Sequence, residues 1–491
     1  MLRYHIWTIG CQMNRADSDK LAAGLERLGL EEAARPEEAD LVVLNTCSVR
    51  QHAEERAISK LGVLRKLKSR RNLTIAVMGC MVGPRTDDLR RRFPYVDVFT
   101  RPQEFDPILE AIGIDGDNLG GEFWPRTFAV PGGPTAYVPA VHGCDKFCSF
   151  CIVPYRRGRQ RSRPIAEVRE EVEHLVACGV REVTLLGQTV DAYGHDLPDR
   201  QAGLPAARAG LPDRPDLGDL LRDLHEIDGL YRLRFLTSYP REMTERVLRA
   251  VAELPKVCQY FSLPVQSGDD GVLERMRRGY TVAEYRQKLG LLRQLMPEAA
   301  VSTDVIVGFC GETEAEFRRT YDLLAELRFD KVHVAAYSPR PGTIAWRRLP
   351  DDVPQEVKRT RLRAVEELQA RIAGEINGAL LGRTVEVLVE EEKGGKLGGP
   401  ARPLSGRTRS GKLVHFSGRH PEPACPEHSR RVEGPCPELV EGARPGDLVH
   451  VVVEKTSPWS LQGRLAGQVT PRISSSEPAP LSAQPTGSAS P

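Results

Sequence analysis

The sequence contains no apolar run that approaches the roughly 20 residues needed to cross a bilayer. Its opening, Met1-Leu2-Arg3-Tyr4-His5, leads straight into a strand-like segment without a signal-peptide core. A cytoplasmic location and no membrane partner are therefore expected. Net charge is also nearly absent, since 69 basic and 67 acidic side chains leave +2 over 491 residues. A global basic field for nucleic acid is excluded, and any such contact must come from local patches. The remaining composition, 40% hydrophobic and 28% charged, is that of a soluble protein. Its length suggests roughly two to four domains. Cysteine is not scarce: eleven thiols suit metal ligation in a reducing compartment better than disulfides.

A fourth ligand is missing where it would be most expected. Cys144-Asp145-Lys146-Phe147-Cys148-Ser149-Phe150-Cys151 holds three thiols with gaps of three and two residues. A structural zinc or a fully ligated iron–sulfur cluster needs four protein ligands, so three point to a cluster with one iron open to a small molecule. Phe147 and Phe150 would give it an apolar shell that limits water. The competing readings are a zinc completed by His142 or another thiol, and three unrelated core cysteines. The C-x3-C-x2-C spacing resembles that of the radical S-adenosylmethionine (SAM) enzymes, which implies SAM on the open iron of a 4Fe-4S cluster.

The first hundred residues alternate strand and helix, with strands at 4–9, 41–44 and 73–78 and helices near 17–28 and 49–67. This βαβ pattern predicts a parallel sheet. Cys11, Cys47 and Cys80 each follow a strand's carboxyl end, and in an open α/β sheet those ends share one edge. A second three-thiol site is expected there, against the alternative of three buried structural cysteines.

With Gly10-Cys11-Gln12-Met13-Asn14, Asn45-Thr46-Cys47-Ser48-Val49-Arg50 and Leu185-Leu186-Gly187-Gln188, the chain resembles the methylthiotransferases of the radical SAM superfamily over roughly residues 3–467. The resemblance implies an α/β protein with a flavodoxin-like N-terminal domain (1–112), a linker (113–135), a partial (β/α)6 radical SAM barrel (136–378) and a small C-terminal antiparallel β-barrel of TRAM type (379–467). It further implies two 4Fe-4S clusters, SAM as radical source and methyl donor, and action on isopentenyladenosine 37 in the tRNA anticodon loop. An electron-donor protein of flavodoxin or ferredoxin type would be a partner, the sulfur source is left unspecified, and a monomer is expected. Relatives acting on threonylcarbamoyladenosine or on a ribosomal-protein aspartate remain alternatives, as does a non-catalytic metal-containing RNA-binding module.

Strands are expected at 137–141, 182–186, 231–236, 260–264, 301–307 and 331–335, and in such barrels chemistry sits at the strands' carboxyl ends. Gln188, Ser238 and Gln266 fall there and are read as SAM contacts, together with Asp304, a carboxylate inside an apolar strand. Tyr337 to Thr343 would line the site. Cys310 and Tyr239 depart from the family, which usually has proline and histidine there. Cys310, Cys178 and Cys258 read as small buried thiols. Arg157, Arg159 and Arg161 after the cysteine loop, and Arg407 and Arg409 in the C-terminal unit, are read as RNA-phosphate contacts. Repeats at 196–216 and 421–444 read as a surface loop and a disordered insertion, and 468–491 as a disordered tail.

Overall fold

The computed structural model describes residues 1–48, 51–121, 123–129, 132–198, 214–392, 403–417 and 443–466. Val49 and Arg50, most of the 196–216 repeat, the expected insertion as far as residue 442 and the expected tail lie outside the described residues.

Strands β1 (Arg3–Ile9), β2 (Glu31–Glu32), β3 (Leu41–Thr46), β4 (Thr74–Gly79) and β5 (Val98–Thr100) form one parallel sheet in the order β2-β1-β3-β4-β5. That is the doubly wound, flavodoxin-like order. All six residues of β3 are buried, as an apolar run covered on both faces must be. Helix Gln51–Lys68 packs on one face through Ala57, Leu61 and Leu64, and helix Gln12–Arg27 on the other through Leu21 and Leu25. The second helix starts five residues before the periodic pattern suggests. Its first turns bury Met13, Asn14, Ala16 and Asp17 together, so no polar stripe marks them.

The next unit carries β6 (Thr135–Pro139), a short antiparallel pair β7 (Val141–His142) and β8 (Arg161–Ser162), and then β9 (Glu182–Leu186), β10 (Arg232–Phe235), β11 (Tyr260–Ser262), β12 (Ala300–Val307) and β13 (Lys331–Ala336). Strands β6-β9-β10 and β11-β12-β13 are two parallel sheets. The bridge Leu233↔Val257 joins them. Among the described residues β13 does not pair back to β6, and the curved sheet is a partial barrel. Helix Thr313-capped Glu314–Leu327 and helix Val282–Leu295 each begin with a capping box, which fixes where these outer helices start.

Helix Gln355–Gly378 leads to a closed barrel of β14 (Thr384–Glu392), β15 (Pro403–Thr408), β16 (Leu413–Ser417), β17 (Leu448–Thr456) and β18 (Leu461–Leu465). It is antiparallel apart from the β16–β18 pair, which runs parallel. Arg232 and Arg234, buried on β10, seat it: they donate to the carbonyls of Arg407 (2.8 Å), Thr408 (2.6 Å) and Arg409 (2.8 Å). Among the described residues no helix is long and apolar enough to cross a membrane.

Candidate active site

The register of the first sheet brings three cysteines to one edge. Ile9, Thr46 and Gly79 lie side by side in β1, β3 and β4, so Cys11, Cys47 and Cys80 leave the sheet together. Amide clamps hold the row: Asn14 Nδ2 donates to Asn45 Oδ1 (2.7 Å) and to the Thr46 carbonyl (3.0 Å), and Asn45 Nδ2 donates to the Asn14 carbonyl (2.7 Å). The Cys80 amide donates to the Thr46 carbonyl (2.8 Å), and Ser48 Oγ to the Cys80 carbonyl (2.7 Å). Gly79 has φ +99, and a Cβ there would lie 2.6 Å from Asn45 Oδ1, so a glycine is required. Cys47 and Cys80 are buried and Cys11 is exposed. Burial pushes the Cys80 thiol up, opposed by the nearby Arg157 guanidinium and reinforced by Cys11.

The second trio sits in the loop after β7. Ser149 anchors it, with its amide on the Met276 carbonyl (2.9 Å), its Oγ on the Arg275 carbonyl (2.7 Å) and its own carbonyl accepting from Ala345 N (2.7 Å). Cys144 Sγ accepts from Lys146 N (3.4 Å) and lies 3.5 Å from Thr189 Oγ1. Cys148 Sγ accepts from Arg278 Nη1 (3.4 Å). Cys151 is pushed up to about 12 by burial, with Cys148 and Cys144 adding to the shift. Among the described residues no three His, Cys, Asp or Glu side chains close around a single metal ion. A cubane cluster asks for something else, one thiolate on each of three irons.

Strand ends of the partial barrel carry unusual backbone. Thr237, after β10, and Gln266, after β11, both have φ +70, a left-handed conformation rare outside glycine. Beside them, Gln188 Oε1 and Ser238 Oγ are buried without a hydrogen-bond partner among the described residues. Unpaired buried polar atoms are rare and costly, and they fit polar groups of a ligand at this edge. Asp191 is buried and accepts the Tyr239 amide on both oxygens (3.0 and 2.8 Å). Burial holds its carboxyl well above the usual carboxylate range. Asp304 stands in β12 as expected, but half-buried rather than enclosed.

Residues 3–100 match the family described as "Uncharacterized protein family UPF0004", and residues 138–324 match the "Radical SAM superfamily". A tRNA-2-methylthio-N(6)-dimethylallyladenosine synthase of Dehalococcoides mccartyi is 43% identical over 465 residues, 94% of this chain and 98% of that protein. The chain belongs to this synthase family. Another member, from Chloroflexus aurantiacus, is 45% identical over 467 residues, covering 94% of this chain and 91% of its own. The radical S-adenosylmethionine methyltransferase TsrM of Kitasatospora setae, solved with cobalamin and a [4Fe-4S] cluster, shares the fold at 16% identity. The TM-score is 0.51, over 70% of this chain and 77% of that one.

Within the synthase family's frame, several side chains stand elsewhere than their sequence suggested. Arg157, read as an RNA contact, is instead turned inward: its guanidinium donates to Asp17 Oδ2 (2.8 Å), and the two side chains are only 4% and 2% exposed. Gln103 Nε2 extends this link, 3.3 Å from Asp17 Oδ1 and 2.7 Å from His142 Nδ1. The pair thus bolts the first sheet to the cysteine loop. Arg409 is likewise turned inward, donating to the carbonyls of Val257 (2.9 Å) and Pro255. Arg159 and Arg161 are exposed, Arg159 beside Asp145 (2.9 Å), and Arg407 is half-exposed beside Glu390 (3.4 Å). Cys178 is exposed, whereas Cys258 and Cys310 are buried as read.

Sequence reasoning missed an aromatic band beside the loop. Arg159 Cζ lies 5.9 Å from the Phe147 ring centroid, Phe147 meets Tyr155 edge-on at 5.9 Å, and Arg347 Cζ lies 5.9 Å from Tyr155. Phe147 is 38% exposed, and Trp346, next to Arg347, 51%. The alternation of arginine with aromatics was the available signal, hidden because Arg347 is distant in sequence.

Proposed function

We propose that this chain methylthiolates carbon 2 of N6-isopentenyladenosine at position 37 of tRNA, in the cytoplasm. The observation that carries the reading is the pairing of two three-cysteine sites, one at the edge of the first sheet and one in the loop after β7, joined by a buried ion pair. Near full-length kinship with the synthases supports it. Cys144, Cys148 and Cys151 hold the cluster that binds SAM, and Cys11, Cys47 and Cys80 hold the second. SAM cleaved by one electron at such a cluster supplies a carbon radical able to take hydrogen from an unactivated C–H bond, which acid–base side chains cannot break.

The protein's own part is placement. Gln188 Oε1 and Ser238 Oγ, unpartnered among the described residues, would satisfy polar groups of SAM, and Gln266 presents its backbone in a left-handed turn at the same edge. Asp304, within β12, accepts the Gln266 amide on its carbonyl (2.9 Å). Phe147, Tyr155 and Trp346 offer π-faces on which unstacked anticodon-loop bases can rest, and Arg159, Arg161, Arg347 and Arg407 offer charge to the phosphates. Asp17 and Arg157 keep the second site at a set position relative to the first.

The chain acts as a monomer receiving electrons from a flavodoxin- or ferredoxin-type protein, and its functional units are 1–112, 136–378 and 379–467. Nucleoside mass spectrometry of tRNA incubated with reconstituted protein, SAM and reductant tests the reaction. The expected result is 2-methylthio-isopentenyladenosine. SAM turnover with iron-loaded protein and no methylthio product on isopentenylated tRNA would remove the assignment.

A further inference from the structure

Arg157 and Arg278 both reach the cysteine sites from the protein interior, and of this pair Arg157 alone has an acidic partner among the described residues. Arg157 meets Asp17. Arg278 meets no carboxylate among the described residues, although it is only 6% exposed. Its Nε donates to Tyr280 Oη (3.0 Å), Nη2 to the Pro264 carbonyl (3.2 Å) and Nη1 to Cys148 Sγ (3.4 Å). The guanidinium carbon lies 4.8 Å from the Tyr239 ring centroid and 5.2 Å from that of Tyr280. Rings and neutral acceptors orient a cation but do not neutralise it, and a buried charge without a counter-charge is costly.

The backbone is bent to place it there. Helix Asp270–Arg275 ends with Arg277 N on the Glu274 carbonyl (2.9 Å) and Arg278 N on the Leu273 carbonyl (2.9 Å), the paired bonds of a Schellman cap. Glycine normally occupies the left-handed position of that cap, yet here Arg277 adopts φ +57. The turn throws Arg278 inward, and Tyr239 Oη then donates to its carbonyl.

We propose that Arg278 is a positioning residue for the cluster on Cys144, Cys148 and Cys151, its positive charge and its N–H on the Cys148 sulfur favouring the reduced state. The inference rests on the cluster assignment above. When the cluster takes one electron from an external low-potential donor its net charge falls by one, and a fixed cation in contact with a ligand sulfur stabilises that form. No bond to Arg278 forms or breaks, and the guanidinium keeps its proton throughout.

The test is a potentiometric titration of full-length reconstituted protein, following by electron paramagnetic resonance the cluster signal that changes when SAM is added. At the potential where the parent protein is half reduced, Arg278→Gln is expected to lower the reduced-to-oxidised ratio at least tenfold, about 59 mV for one electron. Arg278→Lys, which keeps the charge, is expected to stay within threefold of the parent. Full iron with an Arg278→Gln titration within threefold of the parent overturns the proposal. Should Arg278→Gln not retain iron, Arg278→Lys decides: a loaded cluster within threefold supports the role, and failure to load or a tenfold fall overturns it. A parent protein that takes up no iron would instead remove the cluster assignment itself.

Discussion

The two cysteine sites are built in opposite ways. Cys144, Cys148 and Cys151 sit on one continuous loop, which Ser149 ties to residues 275, 276 and 345. Cys11, Cys47 and Cys80 come from three strands and meet only because β1, β3 and β4 are in register. The loop site gathers its thiols within eight residues of one chain segment, whereas the sheet site exists only when the sheet, the Asn14–Asn45 clamp and the Arg157–Asp17 bolt are all in place. Damage should therefore spread differently from each.

The sharpest separation comes from the thiols themselves. Cys148→Ala is expected to abolish both deoxyadenosine and methylthio product, whereas Cys47→Ala keeps deoxyadenosine formation and loses only sulfur insertion. Iron should fall from about eight to about four per chain in the Cys47 variant. Loss of both activities in folded Cys47→Ala protein that still holds its SAM cluster would erase the division between the sites.

A large effect is next expected from Asp17→Ala, which strands the buried Arg157 charge. Breaking such a pair costs about 3–5 kcal/mol, so calorimetry should show a melting transition lowered by several degrees. Sulfur insertion should suffer more than SAM cleavage; an unchanged transition would mean the bolt carries no load. Gly79→Ala should act more locally. A left-handed backbone and a Cβ against Asn45 Oδ1 together cost roughly 1–3 kcal/mol, read as reduced iron in the sheet site while deoxyadenosine still forms. Smallest is the effect on RNA. Arg159→Ala should weaken binding of an anticodon stem-loop several-fold and reduce the salt slope by about one. Arg409→Ala should leave that slope unchanged, because its side chain is spent on the Val257 carbonyl.

The same contrast explains what could be read without coordinates. The loop site is a spacing in one line of text. The sheet site was also legible, since period and strand order put Cys11, Cys47 and Cys80 at equivalent ends. What escaped was direction. Arg157 and Arg159 look alike in sequence, but the first meets Asp17, 140 positions away, and the second faces solvent. Nothing local distinguishes them, because the distinction is made by packing one unit on another. Asp17 was hidden for a related reason: its helix buries residues on more than one side, and the amphipathic pattern fails there. Arg278 is turned inward by a helix cap built without the glycine that usually announces one.

The seating of the C-terminal barrel bears on how a long substrate is met. Arg232 and Arg234 close on three successive backbone carbonyls at residues 407–409, and to lift the barrel away would cost all three of these bonds, leaving Glu182 of β9 as the acceptor both guanidiniums share. The barrel is thus a jig and not an arm. An RNA that touches both the barrel and the mouth of the cysteine loop would then meet the two at a spacing set by these bonds.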